Sequence, residues 1–122
     1  LPVLEVLEQS AGPVLVLRLR SGRQGGIDPT RLAERAREIV RLHDTLRLLV
    51  VVDRIGFLEA ASLRSHLSTV AGLAGDVERV AIVGDQGWLK GVVRSTPSGR
   101  TELRLFPSTG LSEARAWIGL AD

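Results

Sequence analysis

Residues 46–53, Leu-Arg-Leu-Leu-Val-Val-Val-Asp, constrain the fold more than any other stretch of the chain. Residues 48–52 are apolar without a break, and the last three are valine. A strand with one wet face alternates apolar and polar residues. An unbroken run implies that both faces are covered, as in the centre of a parallel sheet. A second run of this kind, Val80-Ala-Ile-Val83, stops at Gly84-Asp85 and is followed by a helical pattern carrying Trp88. Two buried strands, each followed by a helical pattern, commit the chain to the α/β class.

The remaining elements fall into place around these two strands. Residues 3–8 and 14–20 read as strands joined through Ala11-Gly12-Pro13, a connection short enough for an antiparallel hairpin. The second of them ends in the alternation Leu17-Arg18-Leu19-Arg20, so one of its faces is expected to meet solvent. Residues 21–26 are glycine-rich but lack the spacing of a phosphate-binding loop, and read as a connector. Asp28-Pro29 opens a helix. Asp28 can cap free N–H groups, and Pro29 suits the first helical position, where its missing N–H is not needed. Leu32, Ala36, Ile39, Val40 and His43 form its apolar stripe. A second helix is expected over residues 59–74, stopped by Gly75, and a third from about Gln86, capped by Asp85. Residues 94–100 read as a polar loop and 101–106 as the last strand. A final helix from about Leu111 should bury Leu111, Ala114, Trp117, Ile118 and Ala121. The order is β-β-α-β-α-β-α-β-α. It predicts one domain with a mixed, largely parallel five-stranded sheet and four helices.

Charge excludes some functions. The pI of 10.3 suggests a nucleic-acid binder. Yet 16 basic and 14 acidic residues leave a net charge of only +2. All the bases except Lys90 are arginine, and the chain has no tyrosine or cysteine, so little titrates between neutrality and the arginine range. The basic residues alternate with acids and do not form a stripe, and the aromatics are only Phe57, Trp88, Phe106 and Trp117. No nucleic-acid partner is expected. No apolar run approaches the roughly 18 residues that span a bilayer, so stable membrane insertion is not expected either. The absence of cysteine removes disulfides, thiol catalysis and Cys-ligated metals, and with no secretory leader pattern points to a cytoplasmic protein.

Chemistry is harder to find. Asp53 and Asp85 each stand at the C-terminal end of a buried strand, the edge where ligands gather in open α/β sheets. Phe57 and Trp88 lie just beyond those ends, where an apolar pocket could form between helices. These four residues are the candidate ligand or partner contacts. Glu59, Ser62 and His66 share one helix face but lack the strained turn and oxyanion hole of a hydrolase. The two histidines, His43 and His66, sit on different helices without metal-ligand spacing. No catalytic residue, metal or cofactor is expected.

The segment Arg79 through Gly84, Asp85 and Trp88 to Leu89 resembles the bacterial SpoIIAA-like (STAS-like) family, as do Glu102-Leu-Arg-Leu-Phe106 and Glu113-Ala-Arg-Ala-Trp117. The resemblance follows the element order across the whole chain and implies a single SpoIIAA-like domain over residues 1–122. The fold it implies is similar to that of anti-sigma-factor antagonists and, distantly, of lipid-carrying CRAL-TRIO domains. Members are mostly of unknown function, and the resemblance implies a non-enzymatic regulatory or protein-interaction domain, expected as a homodimer with a protein partner. A small apolar ligand is the alternative, and an enzyme a remote one. Phosphoswitch antagonists carry an Asp-Ser-Ser-Gly-like sequence after the central strand. Here Asp53-Arg-Ile-Gly-Phe-Leu-Glu-Ala-Ala-Ser62 stands instead, so no phosphorylation is expected, with Ser62 a weak candidate.

Overall fold

A computed structural model describes residues 2–6, 12–21, 29–53, 77–95 and 101–120. Its centre is a five-stranded sheet in the order β1-β2-β3-β4-β5. The strands are β1 (Pro2–Val6), β2 (Val14–Ser21), β3 (Leu46–Val52), β4 (Val77–Val83) and β5 (Glu102–Phe106). β1 runs antiparallel to β2, as the short connection requires, and each later pair is parallel. Among the described residues the α-helices are α1 (Pro29–His43), α2 (Trp88–Ser95) and α3 (Leu111–Ile118), with a 3-10 turn at Ser108–Gly110. The helix expected over residues 59–74 lies outside the described residues.

Strands that step one place at a time across a sheet, joined by right-handed crossovers, send their connecting helices to the same face. α1 and α2 obey this. Leu32 and Ala36 of α1 and Leu89 of α2 share one core with Leu15, Leu17, Leu19, Leu48, Val50 and Ile82. The alternate strand residues point the other way. Val14, Val16, Leu49, Ala81, Val83 and Phe106 pack under Ala114, Ile118 and Leu120 of the α3 region. The unbroken apolar run in β3 is thus covered on both sides, and no described polar or charged residue is buried.

The structure corrects several sequence-based boundaries. β4 starts at Val77, not Val80, and takes in Glu78 and Arg79. Those charges fit inside a strand because each has a partner. Arg47 Nη2 donates to Glu78 Oε1 at 2.7 Å, and Arg79 Nε lies 3.4 Å from Glu102 Oε1. The first turn of α2 begins at Trp88, not Gln86. Gln86 is drawn to the sheet, its side-chain amide donating to the Asp53 carbonyl, and Leu89 N–H closes a tight turn onto Gln86 O at 3.0 Å. Leu111 was expected in the core but is 39% exposed. It occupies the first turn of α3, where that helix overhangs the end of the sheet. His43 and Trp117 also depart from full burial, being exposed and half-buried respectively.

α3 is only two turns long, too short to be stable alone. Besides its buried face, its C-terminal end is held by arginines from the sheet. Arg79 Nη1 donates to Trp117 O at 2.8 Å, and Arg47 Nη1 to Ile118 O at 3.1 Å. Helix C-terminal carbonyls are unpaired and partly negative, so cations are favoured there. The Arg79 guanidinium also lies 5.1 Å from the centre of the Trp117 ring. Gly119 ends the helix in the left-handed conformation, φ 96°, with its N–H on Arg115 O and Ala116 O and the Leu120 N–H on Arg115 O.

Candidate functional site

The C-terminal ends of the parallel strands bring together exposed polar side chains from different elements. β3 ends at Val52, so the next residue, Asp53, leaves the sheet beside β2. There Arg18 Nε donates to both carboxylate oxygens of Asp53 at 3.1 Å. The backbone of Asp53 is held too, by its N–H on Leu19 O at 2.9 Å and by the Gln86 amide on its carbonyl. One strand over, Gly84 donates its N–H to Phe106 O at 3.0 Å and Asp85 follows at the rim. The Asp85 carboxylate accepts the backbone N–H of Ser108 at 2.8 Å and also its hydroxyl. This contact fastens the β5–α3 connection to the end of β4.

Between these pairs lies a cleft of about 840 Å³. Val51, Val52 and Val83 give it an apolar floor, and Leu111 an apolar rim. Arg20, Asp53, Asp85, Gln86 and Ser108 supply the polar boundary. Arg20 also pairs with Glu5 of β1 at 3.2 Å.

Of the residues singled out in the sequence, Asp53 and Asp85 meet at this cleft. Trp88 is half-buried against the core that holds α1 and α2, and does not line the cleft. Phe57, Ser62 and His66 lie outside the described residues, so a grouping of Asp53, Asp85 and His66 is not described. Arg18, Arg20, Gln86, Ser108 and Leu111 belong to the site although sequence reasoning did not select them. The Leu-Arg alternation of residues 17–20 signalled a wet face, and both arginines are on it. Nothing in the local sequence ties Ser108 to Asp85.

Each carboxylate at the rim already accepts hydrogen bonds from a neighbour, Asp53 from Arg18 and Asp85 from Ser108. Among the described residues there is no cluster of His, Asp or Glu able to hold a metal ion. Among them also, no helix is long and apolar enough to cross a membrane.

The profile of the SpoIIAA-like family matches residues 23–119. The chain belongs to the SpoIIAA-like family. That span contains α1 through α3, hence Asp53, Asp85, Gln86, Ser108 and Leu111 of the cleft, whereas Arg18 and Arg20 precede it. The α/β architecture of this SpoIIAA-like domain, a largely parallel sheet with helices on both faces, agrees with the STAS-like fold. No curated protein and no solved structure matches the chain.

Proposed function

We propose that this SpoIIAA-like domain is a non-enzymatic regulatory domain that works by protein contact, with the C-terminal edge of the sheet as its contact surface. The observation behind this reading is the mutual engagement of the rim side chains. Asp53 is tied to Arg18, Asp85 to Ser108, and Gln86 to the Asp53 carbonyl. Groups held in this way form a surface of fixed shape and charge, suited to recognition. The family supports the same reading at a coarse level, and a cytoplasmic setting is part of it.

The test is affinity capture from the native cell with two baits, the wild-type chain and Leu111→Arg. Leu111 is exposed at the cleft rim, so the substitution changes the surface without touching the core. A partner recovered by the wild type and lost with the variant is the expected result. Equal recovery by both baits refutes the assignment of the surface.

The apolar floor of the cleft favours a second reading, carriage of a small apolar ligand. Val51, Val83 and Leu111 line a space within the usual range of about 300–1,000 Å³ for small-molecule sites. Native mass spectrometry of the protein purified from its own cell distinguishes the two. A copurifying lipid supports carriage, and a bare chain refutes it.

A further inference from the structure

We propose that β5 is a homodimerisation edge, joining two copies of this chain through antiparallel β5–β5 pairing in a single register. This surface is separate from the cleft, so either can fail without the other.

The sheet has two edges, β1 and β5. β1 begins with Pro2, whose missing N–H is a common block on edge strands. β5 carries no proline within Glu102–Phe106, and among the described residues β4 is its only strand partner. The Phe106 carbonyl accepts from Gly84, so the backbone groups of residue 106 face β4. Backbone groups alternate sides along a strand. Those of Glu102 and Arg104 therefore also face β4, while those of Leu103 and Leu105 face outward from the sheet. Leu103 and Leu105 pack against the core under α2 yet stay half-buried.

A two-fold axis that pairs outward-facing backbone must pass through one residue of β5 or sit opposite it. Four registers are then open, centred on residue 102, 103, 104 or 105. Centring on Glu102 sets Glu102 against Glu102 of the second copy. Centring on Arg104 sets Arg104 against Arg104. Like charges directly opposite are unfavourable in antiparallel pairs. Centring on Leu103 sets Leu103 against its own copy in a hydrogen-bonded pair, and sets each Glu102 opposite an Arg104. Both side chains reach the surface, and Glu102 can take a second cation beside the Arg79 contact it already makes at 3.4 Å. Glu102 is 62% exposed, and Arg104 is exposed and lies over the Phe106 ring at 5.0 Å, with no carboxylate partner among the described residues. Centring on Leu105 sets Leu103 opposite Pro107, which has no N–H to donate, and leaves Glu102 without an opposite charge, so the pattern Glu-Leu-Arg is self-complementary only when centred on Leu103.

The experiment is sedimentation velocity on the full chain. The wild type is expected to dimerise at tens of micromolar or below, a dissociation constant of the order common to modest interfaces. Arg104→Glu and Glu102→Arg each put like charges opposite one another on both sides of the axis, and each should weaken self-association at least about tenfold. Mixed together, these two variants restore opposite charges at every position and should form a heterodimer. The chain has no cysteine, so Leu103→Cys introduces one thiol on the axis and should cross-link to a disulfide-bonded dimer under mild oxidation. A wild type that stays monomeric overturns the proposal. So does undiminished dimerisation of both charge variants, a mixture that gives no heterodimer, or a Leu103→Cys chain that oxidises no faster than one with its cysteine at exposed Leu42.

Discussion

Gly119→Ala isolates the contribution of the α3 terminus to stability. Gly119 adopts φ 96°, a conformation that costs an L-residue about 1 kcal/mol. A Cβ built there would also lie 2.7 Å from Arg47 Nη1, closer than such atoms can stand. Arg47 must therefore move, and it is the same Nη1 that donates to Ile118 O at 3.1 Å. A hydrogen bond from a charged donor contributes about 1.5–3 kcal/mol, with the low end fitting a partly exposed guanidinium. The two terms together give a loss of roughly 2–4 kcal/mol, or a fall of about 8–16 °C in Tm for a chain of this size. Urea unfolding followed by circular dichroism measures it, with a lower midpoint and an unchanged slope. The double mutant with Arg47→Ala separates the terms. Without the guanidinium, Gly119→Ala should cost only the backbone term of about 1 kcal/mol. A loss below about 0.5 kcal/mol, or the same loss in both backgrounds, refutes the reasoning.

Asp44 stands just past α1 with φ 63°, a left-handed backbone on a non-glycine residue, and carries a negative charge at the negative end of the helix. Asp44→Gly should raise stability by about 0.5–1 kcal/mol, read as a higher urea midpoint. Ile118→Ala removes a fully buried side chain between α3 and the sheet and should cost about 2–4 kcal/mol, whereas Leu111→Ala on the same helix should cost less than about 1 kcal/mol in the same assay. Arg18→Ala breaks the ion pair with Asp53, whose side chains are 46% and 33% exposed; the loss should stay below about 1 kcal/mol and shrink further in molar salt.

The parts of the fold that were legible in sequence are those where pattern alone decides. Residues 48–52 could not alternate, so they had to be covered twice, and they are. The hairpin of β1 and β2 followed from a short connection. What stayed hidden depended on partners far along the chain. Val77-Glu-Arg-Val80 does not look like the start of a buried strand, because Glu78 and Arg79 interrupt it. Their charges are met by Arg47 and Glu102, neither of them near in sequence. Helical spacing placed Leu111 on the buried stripe, but spacing cannot show where the sheet beneath a helix ends. The site divides the same way. Asp53 and Asp85 were visible because strand ends are visible. Ser108, Gln86 and Arg18 join them only through the register of neighbouring strands.

The same geometry explains a composition that otherwise misleads. A chain with almost no lysine and a pI above 10 would suggest a phosphate-binding surface, yet Arg47 and Arg79 are used inside the fold. Arg47 donates through Nη2 to Glu78 and through Nη1 to Ile118 O, bridging a strand carboxylate and a helix terminus with one planar group. Arg79 donates to Trp117 O while lying over the Trp117 ring. A lysine ammonium lacks the planar fork that spans two separated acceptors and stacks flat on a ring. These arginines hold the C-terminal end of α3 over the N-terminal ends of β3 and β4, and the Asp85–Ser108 contact holds its N-terminal approach at the C-terminal end of β4. A two-turn helix clasped at both ends keeps Leu111 and Ser108 in place at the cleft rim. A partner that docks there meets a surface ordered before binding, and the ordering cost has been met in folding.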